Sequence, residues 1–271
     1  MKHNSSRTPT ILTIAGFDPY GGAGIQIDSK TIHALGAYAL TATTAITAQN
    51  SQGVFAVEAV SPKMLHLQLH TLLKDIKVDA VKIGMLANAR LIEVMVEVLK
   101  TYKFSNVVLD PVMVSSSGKP LLEPDAVEVM VHDLFPLCSL ITPNLIETNI
   151  LLGTNYQGNK EESLAMAEGL FTLGAQAVLL KGGHSCEEDA VDCLVDTEGL
   201  TCFSTPRVET THTHGTGCIL SSAIATQLAK NMSLKTSVED AKNFLYKKLI
   251  TSDTLHLTYV SPSETKKEPI F

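Results

Sequence analysis

The sequence predicts an α/β fold, with a mostly parallel central sheet covered by helices on both faces. Three observations point there. Short aliphatic or β-branched runs alternate with stretches of helical spacing along nearly the whole chain. The runs are apolar on both sides, as in parallel strands buried between two helix layers. The glycine-rich and polar segments fall directly after the strands, where open α/β sheets bind their ligands.

The elements follow in order. "TILTIAG" (10–16) is short, β-branched and closed by glycine, which predicts a buried strand. "GIQIDSKTIHALGA" then has helical spacing, with Ile25, Ile27, Ile32 and Leu35 roughly on one side. "YALTATTAITAQNS" and "GVFAVEAVS" predict two strands, and Ser61-Pro62 is an N-cap and first-turn pair for the next helix. That helix shows Leu65, Leu69, Leu72, Leu73 and Ile76 as a stripe. The alternation repeats through strand "DAVKIGM", helix 88–103, strand "NVVLDPV", helix 123–135 and strand "SLITPN". Helices are predicted at 145–152 and 160–174, then strand "QAVLLKGG". "AVDCLVD" and "LTCFSTP" predict a pair at the sheet edge around the turn "TEG", followed by helices near 217–230 and 236–250. No Pro-, Gly- or Ser-rich linker and no repeat divides residues 1–271, so one domain is expected, with its core over about 10–250 and a polar tail over 251–271.

Composition narrows the function. The chain has 271 residues, 45% of them hydrophobic, enough for a sizeable core. A net charge of −7 argues against sequence-independent nucleic-acid binding, since no positive field would attract phosphate backbones. "MKHNSSRTPT" lacks an apolar signal core and no run is long enough to cross a bilayer, so no membrane partner and a cytoplasmic location are expected. The five cysteines are odd in number and form no Cys-x-x-Cys pair, which argues against a disulfide framework or a zinc ribbon.

The chemistry is expected where the loops converge. In "HTHGTGCILSSA", Gly215, Thr216, Gly217 and Cys218 precede an apolar helix. Backbone N–H groups can turn inward there, and the helix dipole adds about half a positive charge, so an anion or a developing negative charge would be held. Read as a zinc site, His212, His214 and Cys218 lack a fourth ligand. "GFDPYGGAGIQID" is neither a P-loop nor a dinucleotide fingerprint, because no Gly-Lys-Ser/Thr follows and Ile27 stands at the third glycine position. It would allow close backbone approach to a small ligand, with Asp28 and Gln49 as hydrogen-bonding groups. Asp110 and Glu147, at neighbouring strand exits, can orient a hydrated magnesium ion. Lys181 is a point charge suited to phosphate, and the glycines after it leave room for a polyphosphate.

Together, "GGAGIQID", "LGAYALTATTAITAQNSQGV", "KIGML", "VVLDPVM", "LITPNLIE", "VLLKGGH" and "HGTGC" resemble the hydroxymethylpyrimidine/phosphomethylpyrimidine kinase branch of the ribokinase superfamily, over nearly the whole chain. The resemblance implies a ribokinase-like fold. It also implies ATP-dependent phosphorylation of 4-amino-5-hydroxymethyl-2-methylpyrimidine, and of its monophosphate to the diphosphate, in thiamine biosynthesis. Carried over by position, it sets the pyrimidine near Gly16, Ala23, Asp28, Gln49, Met85 and Val112. Asp28 and Gln49 would read its amino group and ring nitrogens. Asp110 and Glu147 would orient magnesium, Asn144 would lie near the nucleotide phosphates, and Lys181 would reach them. Gly215 to Cys218 would hold the transferring phosphoryl group, Thr216 also meeting the nucleotide, with Cys218 as the base for the hydroxyl proton; a helix N-terminus lowers a thiol's pKa.

Phe17, Tyr20, Thr47 and Ile219 depart from the residues common in the family, which bears on pocket shape. A pyridoxal kinase shares fold and nucleotide site and is the nearest alternative. A non-catalytic pyrimidine-binding protein would have no use for Asp110, Glu147, Lys181 and Cys218. Such kinases are often homodimers, but the sequence leaves no helix stripe unassigned to the core that would mark the contact.

Overall fold

The computed structural model describes residues 7–115, 118–182, 189–210 and 214–252. The β-branched run Thr10–Phe17 forms β1, buried along all but its last residue, because it has a strand on each edge and helices above and below. It runs parallel to β2 (Tyr38–Asn50) on one edge and to β4 (Ala80–Ile83) on the other. β5 (Val107–Leu109), β6 (Leu140–Ile141) and β7 (Val178–Leu180) extend the parallel series. β3 (Gly53–Ala59) folds back onto β2, and β8 (Asp189–Asp196) and β9 (Gly199–Pro206) close the other edge; all three pair antiparallel. The order is β3-β2-β1-β4-β5-β6-β7-β8-β9. Parallel pairing is thus central, and the antiparallel pairs among the described residues lie at the two edges.

Two apolar cores lie on the two faces of the sheet. One packs α2 (Pro62–Asp75), α3 (Ala89–Tyr102), α4 (Pro124–Val129) and α6 (Ser163–Thr172) through Leu65, Leu69, Leu91, Met95, Ala126 and Leu170. The other packs α1 (Gly24–Ala34), α7 (Thr216–Ala229) and α8 (Leu234–Ile250) through Ile32, Leu220, Ile224 and Val238. α7 is made mostly of apolar and small residues and is buried from Ile219 to Thr226. Its burial holds the N-terminus, which carries "GTGC", rigidly at the C-terminal edge of the strands. α5 (Leu145–Leu152) starts at the same edge, with a reciprocal capping box between Asn144 and Glu147.

Two expectations need correction. The helix expected over 123–135 is α-helical only to Val129, then opens into a π turn (Met130–Leu134) and a 3-10 turn (Phe135–Leu137). Pro136 has no N–H to continue the ladder, and the preceding turn widens. The argument against disulfides also fails for one pair: Cys193 and Cys202 are bonded across β8 and β9. The turn between these strands sets the two residues directly opposite each other, with Cα atoms 4.1 Å apart. Cysteine counting does not see such a register. Among the described residues, no helix is long and apolar enough to cross a membrane.

Candidate active site

The segments after β1, β2, β4 and β5 and the starts of α5 and α7 wall a cavity of about 340 Å³ at the C-terminal edge of the sheet. Gly16, Ala23, Gln49, Met85, Val112, Asp110, Asn144, Glu147 and Gly215 to Cys218 all line it. A second cavity of about 180 Å³, between β8, β9, α7 and α8, is lined by Lys181, Arg207, Lys242 and Tyr246, among others. Asn144, Thr216 and Gly217 face both cavities, so the two meet at the start of α7. Gly183, His184 and His212, in the motifs "KGGH" and "HTHGTGC", lie outside the described residues.

Two glycine loops lock together to make the floor. Gly215 caps α7 with φ +80°, and a Cβ there would overlap the Gly22 carbonyl oxygen. Gly24 opens α1 with φ +58°, and a Cβ there would strike the Gly16 carbonyl. Only glycine lets these backbones touch, and the contact brings the N-termini of α1 and α7 together. Cys218 sits at this junction, with the Gly24 N–H near its sulfur.

The charged groups fall into two clusters. In the first, Lys181 Nζ lies 2.6 Å from Asp110 Oδ1 and 3.8 Å from Glu147 Oε2. Burial alone would lower the Lys181 ammonium, but Asp110 and Glu147 outweigh it and hold its pKa above the usual lysine value. Glu147 shows the reverse balance. Burial and the nearby Asp110 charge oppose Lys181 and the Asn144 N–H, and the carboxyl is pushed up to about 7. Its Oε2 accepts the Asn144 N–H at 2.8 Å, so Glu147 is at once a helix cap and one of two carboxylates around a cation. Gly217 is close enough that a Cβ there would lie 3.2 Å from both Asp110 Oδ2 and Lys181 Nζ.

A stability consequence follows for Glu147. From an ordinary value of 4.5 to its folded value of about 7, the folded protein keeps a proton that the unfolded chain has lost. The group therefore favours the fold at low pH, and that contribution fades as pH rises through this window. Glu147→Gln should be more stable relative to wild type at about pH 8 than at about pH 5. Urea midpoints at the two pH values measure it, and an equal difference at both would refute the burial argument.

The second cluster lies beneath the floor and corrects one expectation. Asp28 does not reach the cavity wall: it is fully buried on α1, and Lys82 Nζ of β4 donates to both its oxygens at 3.0 and 2.8 Å. Thr13 Oγ1 donates to Oδ2 at 2.5 Å and Ser222 Oγ to Oδ1 at 2.6 Å, so the carboxylate is fully engaged. Asp28 faces inward because α1 lies on the sheet with that side of the helix down. It is a structural ion pair and not a reader of the ring. Lys82, the charged residue of the apolar strand Ala80–Ile83, also lines the large cavity and was passed over by sequence reasoning. A lysine amid a buried apolar run requires a partner and could have been flagged on that ground. The Cys218 thiol also departs from expectation. Burial outweighs the nearby Lys82 ammonium and the Gly24 N–H, and the thiol is pushed up to about 11 rather than down.

Two further groups on the wall were not expected. Asp18, 2% exposed, accepts the N–H groups of Tyr20, Gly22 and Ala23 at 2.9, 3.1 and 2.9 Å. Burial would raise its carboxyl, but His214 and these amides hold it below the usual range. An aspartate before Pro-x-Gly-Gly is a loop-capping signal that the sequence contains. His214 Nε2 lies 3.1 Å from Asp18 Oδ2 and 2.8 Å from Gln49 Nε2.

Comparison with known proteins places this geometry. Residues 18–261 match the family model described as phosphomethylpyrimidine kinase. The hydroxymethylpyrimidine/phosphomethylpyrimidine kinase of Escherichia coli K12 is 44% identical over 246 residues, covering 91% of this chain and 92% of its own. The crystal structure of phosphomethylpyrimidine kinase from Clostridium difficile 630 is 40% identical, with a TM-score of 0.78, covering 89% of this chain and 99% of that one. The ADP complex of Bacillus subtilis pyridoxal kinase is 34% identical, with a TM-score of 0.84 over 92% of this chain and 95% of that one. The α/β fold expected from the sequence is thus the ribokinase-like fold of these kinases.

Proposed function

The chain belongs to the phosphomethylpyrimidine kinase family, and we propose that its paired cavities bring the terminal phosphate of ATP to the hydroxymethyl group of 4-amino-5-hydroxymethyl-2-methylpyrimidine, and then to the phosphate of the resulting monophosphate. It is a phosphotransferase of thiamine biosynthesis. The observation that carries the reading is the junction of the two cavities at Asn144, Thr216 and Gly217, with Cys218 on the pyrimidine side and Lys181 on the nucleotide side.

In this reading Gln49, Gly16, Ala23, Met85 and Val112 surround the pyrimidine, the last two giving apolar contact to its faces. Arg207, Lys242 and Tyr246 lie along the nucleotide cavity, and Lys181 and Asn144 meet the phosphates. The N–H groups of Gly215 to Cys218 take up charge on the transferring group, in the manner of an anion hole. Asp110 and Glu147 offer only oxygen donors around a site that already holds a cation, the Lys181 ammonium; this fits a magnesium ion that keeps part of its water shell. Those two residues would hold it, and it would neutralise phosphate charge. The substrate oxygen bonds to the terminal phosphorus as the bond to ADP breaks, and for the alcohol the proton passes to the Cys218 sulfur in its thiolate form, the thiol having first given its own proton to water. Phosphoryl transfer depends on alignment and charge neutralisation more than on a strong base, so a proton that leaves late is tolerated. An ATP-consuming reaction fits a cytoplasmic location. The exposed Ile46 and Phe55 on β2 and β3 offer a surface on which two copies could pair.

The likeness to pyridoxal kinases keeps a second substrate in view. An ADP-release assay comparing the pyrimidine alcohol, its monophosphate and pyridoxal decides between them. Both pyrimidines should turn over faster than pyridoxal. Faster turnover of pyridoxal would overturn the assignment, and binding of the alcohol without ADP release would make the protein a non-catalytic binder.

A further inference from the structure

We infer that His214, held by Asp18, sets the orientation of the Gln49 amide, and through it decides which way round, and with which exocyclic group, a pyrimidine is accepted. The inference rests on the reading of the large cavity as the pyrimidine site.

The argument is an accounting of hydrogens. Asp18 Oδ2 already takes the Gly22 and Ala23 N–H groups, and His214 Nε2 approaches it to 3.1 Å. A carboxylate of low pKa only accepts, so His214 Nε2 must carry the hydrogen. The Gln49 side-chain atom 2.8 Å from that same Nε2 must then accept as well. With Nε2 of Gln49 at that place, two N–H groups would face each other. The oxygen and nitrogen of a terminal amide have nearly the same shape, and the network assigns them. The amide therefore sits in the opposite sense, with its oxygen toward His214 and its nitrogen 3.1 Å from Thr47 Oγ1. Thr47 can accept there, because its own hydroxyl donates to the Phe17 carbonyl at 3.0 Å. Every group is then satisfied: the His214 N–H is shared between Asp18 and Gln49, Gln49 donates to Thr47, and Thr47 donates to Phe17.

This orientation has a consequence for recognition. An amide oxygen has a second lone pair and the nitrogen a second hydrogen, and Gln49 lines the cavity. The pair offers an acceptor on the His214 side and a donor on the Thr47 side. An amidine-like edge matches it, with an exocyclic amino group toward His214 and a ring nitrogen toward Thr47. A 4-oxo ring with a protonated nitrogen presents the reverse pattern. With its hydroxymethyl group held in the same place, it binds only if the amide turns over, which sets the His214 and Gln49 donors against each other. His214 is thus a positioning residue for specificity, acting through Gln49 and not on the transferred group.

Two measurements test this. Titration calorimetry without ATP compares the 4-amino-5-hydroxymethyl pyrimidine with its 4-oxo analogue. Wild type should prefer the amino compound. His214→Phe should lower that preference at least tenfold, a loss within the range of about 1–3 kcal/mol for one polar group left without its partner. His214→Gln, which can again present an N–H, should restore most of it. A preference unchanged in His214→Phe overturns the inference, and so does a loss in both variants alike. Nitrogen-15 NMR of the ligand-free protein reads the histidine ring directly and does not depend on the substrate assignment. Nε2 should be protonated near neutral pH, and the Nδ1–H tautomer would overturn the proposal even if the kinase activity stands. Absence of turnover with Nε2 protonated would sink the functional reading and leave the amide assignment supported.

Discussion

Replacing Lys82 with methionine should destabilise the fold by about 3–5 kcal/mol, the usual consequence of removing one partner from a buried ion pair. The side chains of Lys82 and Asp28 are both fully buried. Burial by itself would lower the Lys82 ammonium, and Asp28, with Cys218 and Asp110, outweighs that and raises it. Methionine fills nearly the same volume, so the loss is one of charge and not of packing. What remains is a carboxylate with two hydroxyl donors, Thr13 and Ser222, and no cation. Urea denaturation of the variant measures the loss. Lys82→Met combined with Asp28→Asn should recover much of it, because no buried charge is then left over. A single variant within about 1 kcal/mol of wild type would mean that water or a shift of α1 relieves Asp28. The Ser222 hydroxyl lies within reach of the Cys218 carbonyl as well as Asp28 and can give its one hydrogen to either, which ties the pair to the first turn of α7.

Cys218→Ala should lower turnover by about 10²–10⁴-fold, the range for loss of a positioned base, while pyrimidine affinity stays within a few-fold. The main-chain N–H of residue 218 survives the change, so phosphate binding is largely kept and the loss appears in kcat rather than KM. The pH profile separates the two roles. A thiol at about 11 must lose its proton to accept another, so wild-type kcat/KM should climb from neutral pH toward alkaline pH. Steady-state kinetics on the pyrimidine alcohol across that range checks it, and the climb should vanish in Cys218→Ala. Turnover equal to wild type would remove the sulfur from the mechanism and leave residue 218 only its amide.

Much of this architecture is legible in the chain. The strand–helix alternation, the order of loops at one sheet edge, and the roles of glycine before α1 and α7 all follow from local spacing and backbone freedom. Asp110, Asn144, Glu147, Gln49 and Gly215 to Cys218 line one cavity because each lies at or just past the C-terminal end of a strand of the parallel core or in the "GTGC" turn, and parallel strands end at the same side. What could not be read depended on which side of an element faces inward. Asp28 looks like a cavity residue from its place after "GGAG", yet the packing of α1 turns it onto Lys82, 54 residues away.

Periodicity and turn chemistry are short-range properties, and they suffice to determine the elements, their order and the edge at which the chemistry gathers. Partners and proton affinities are long-range. Asp18 meets His214 across 196 residues, and Cys193 meets Cys202 through strand register. The Cys218 thiol rises instead of falling because desolvation, which exists only after the chain has closed around it, exceeds the pull of a helix start and a lysine. Tertiary structure alone decided those, since each depends on how much water the completed fold excludes and on which charges it brings within reach.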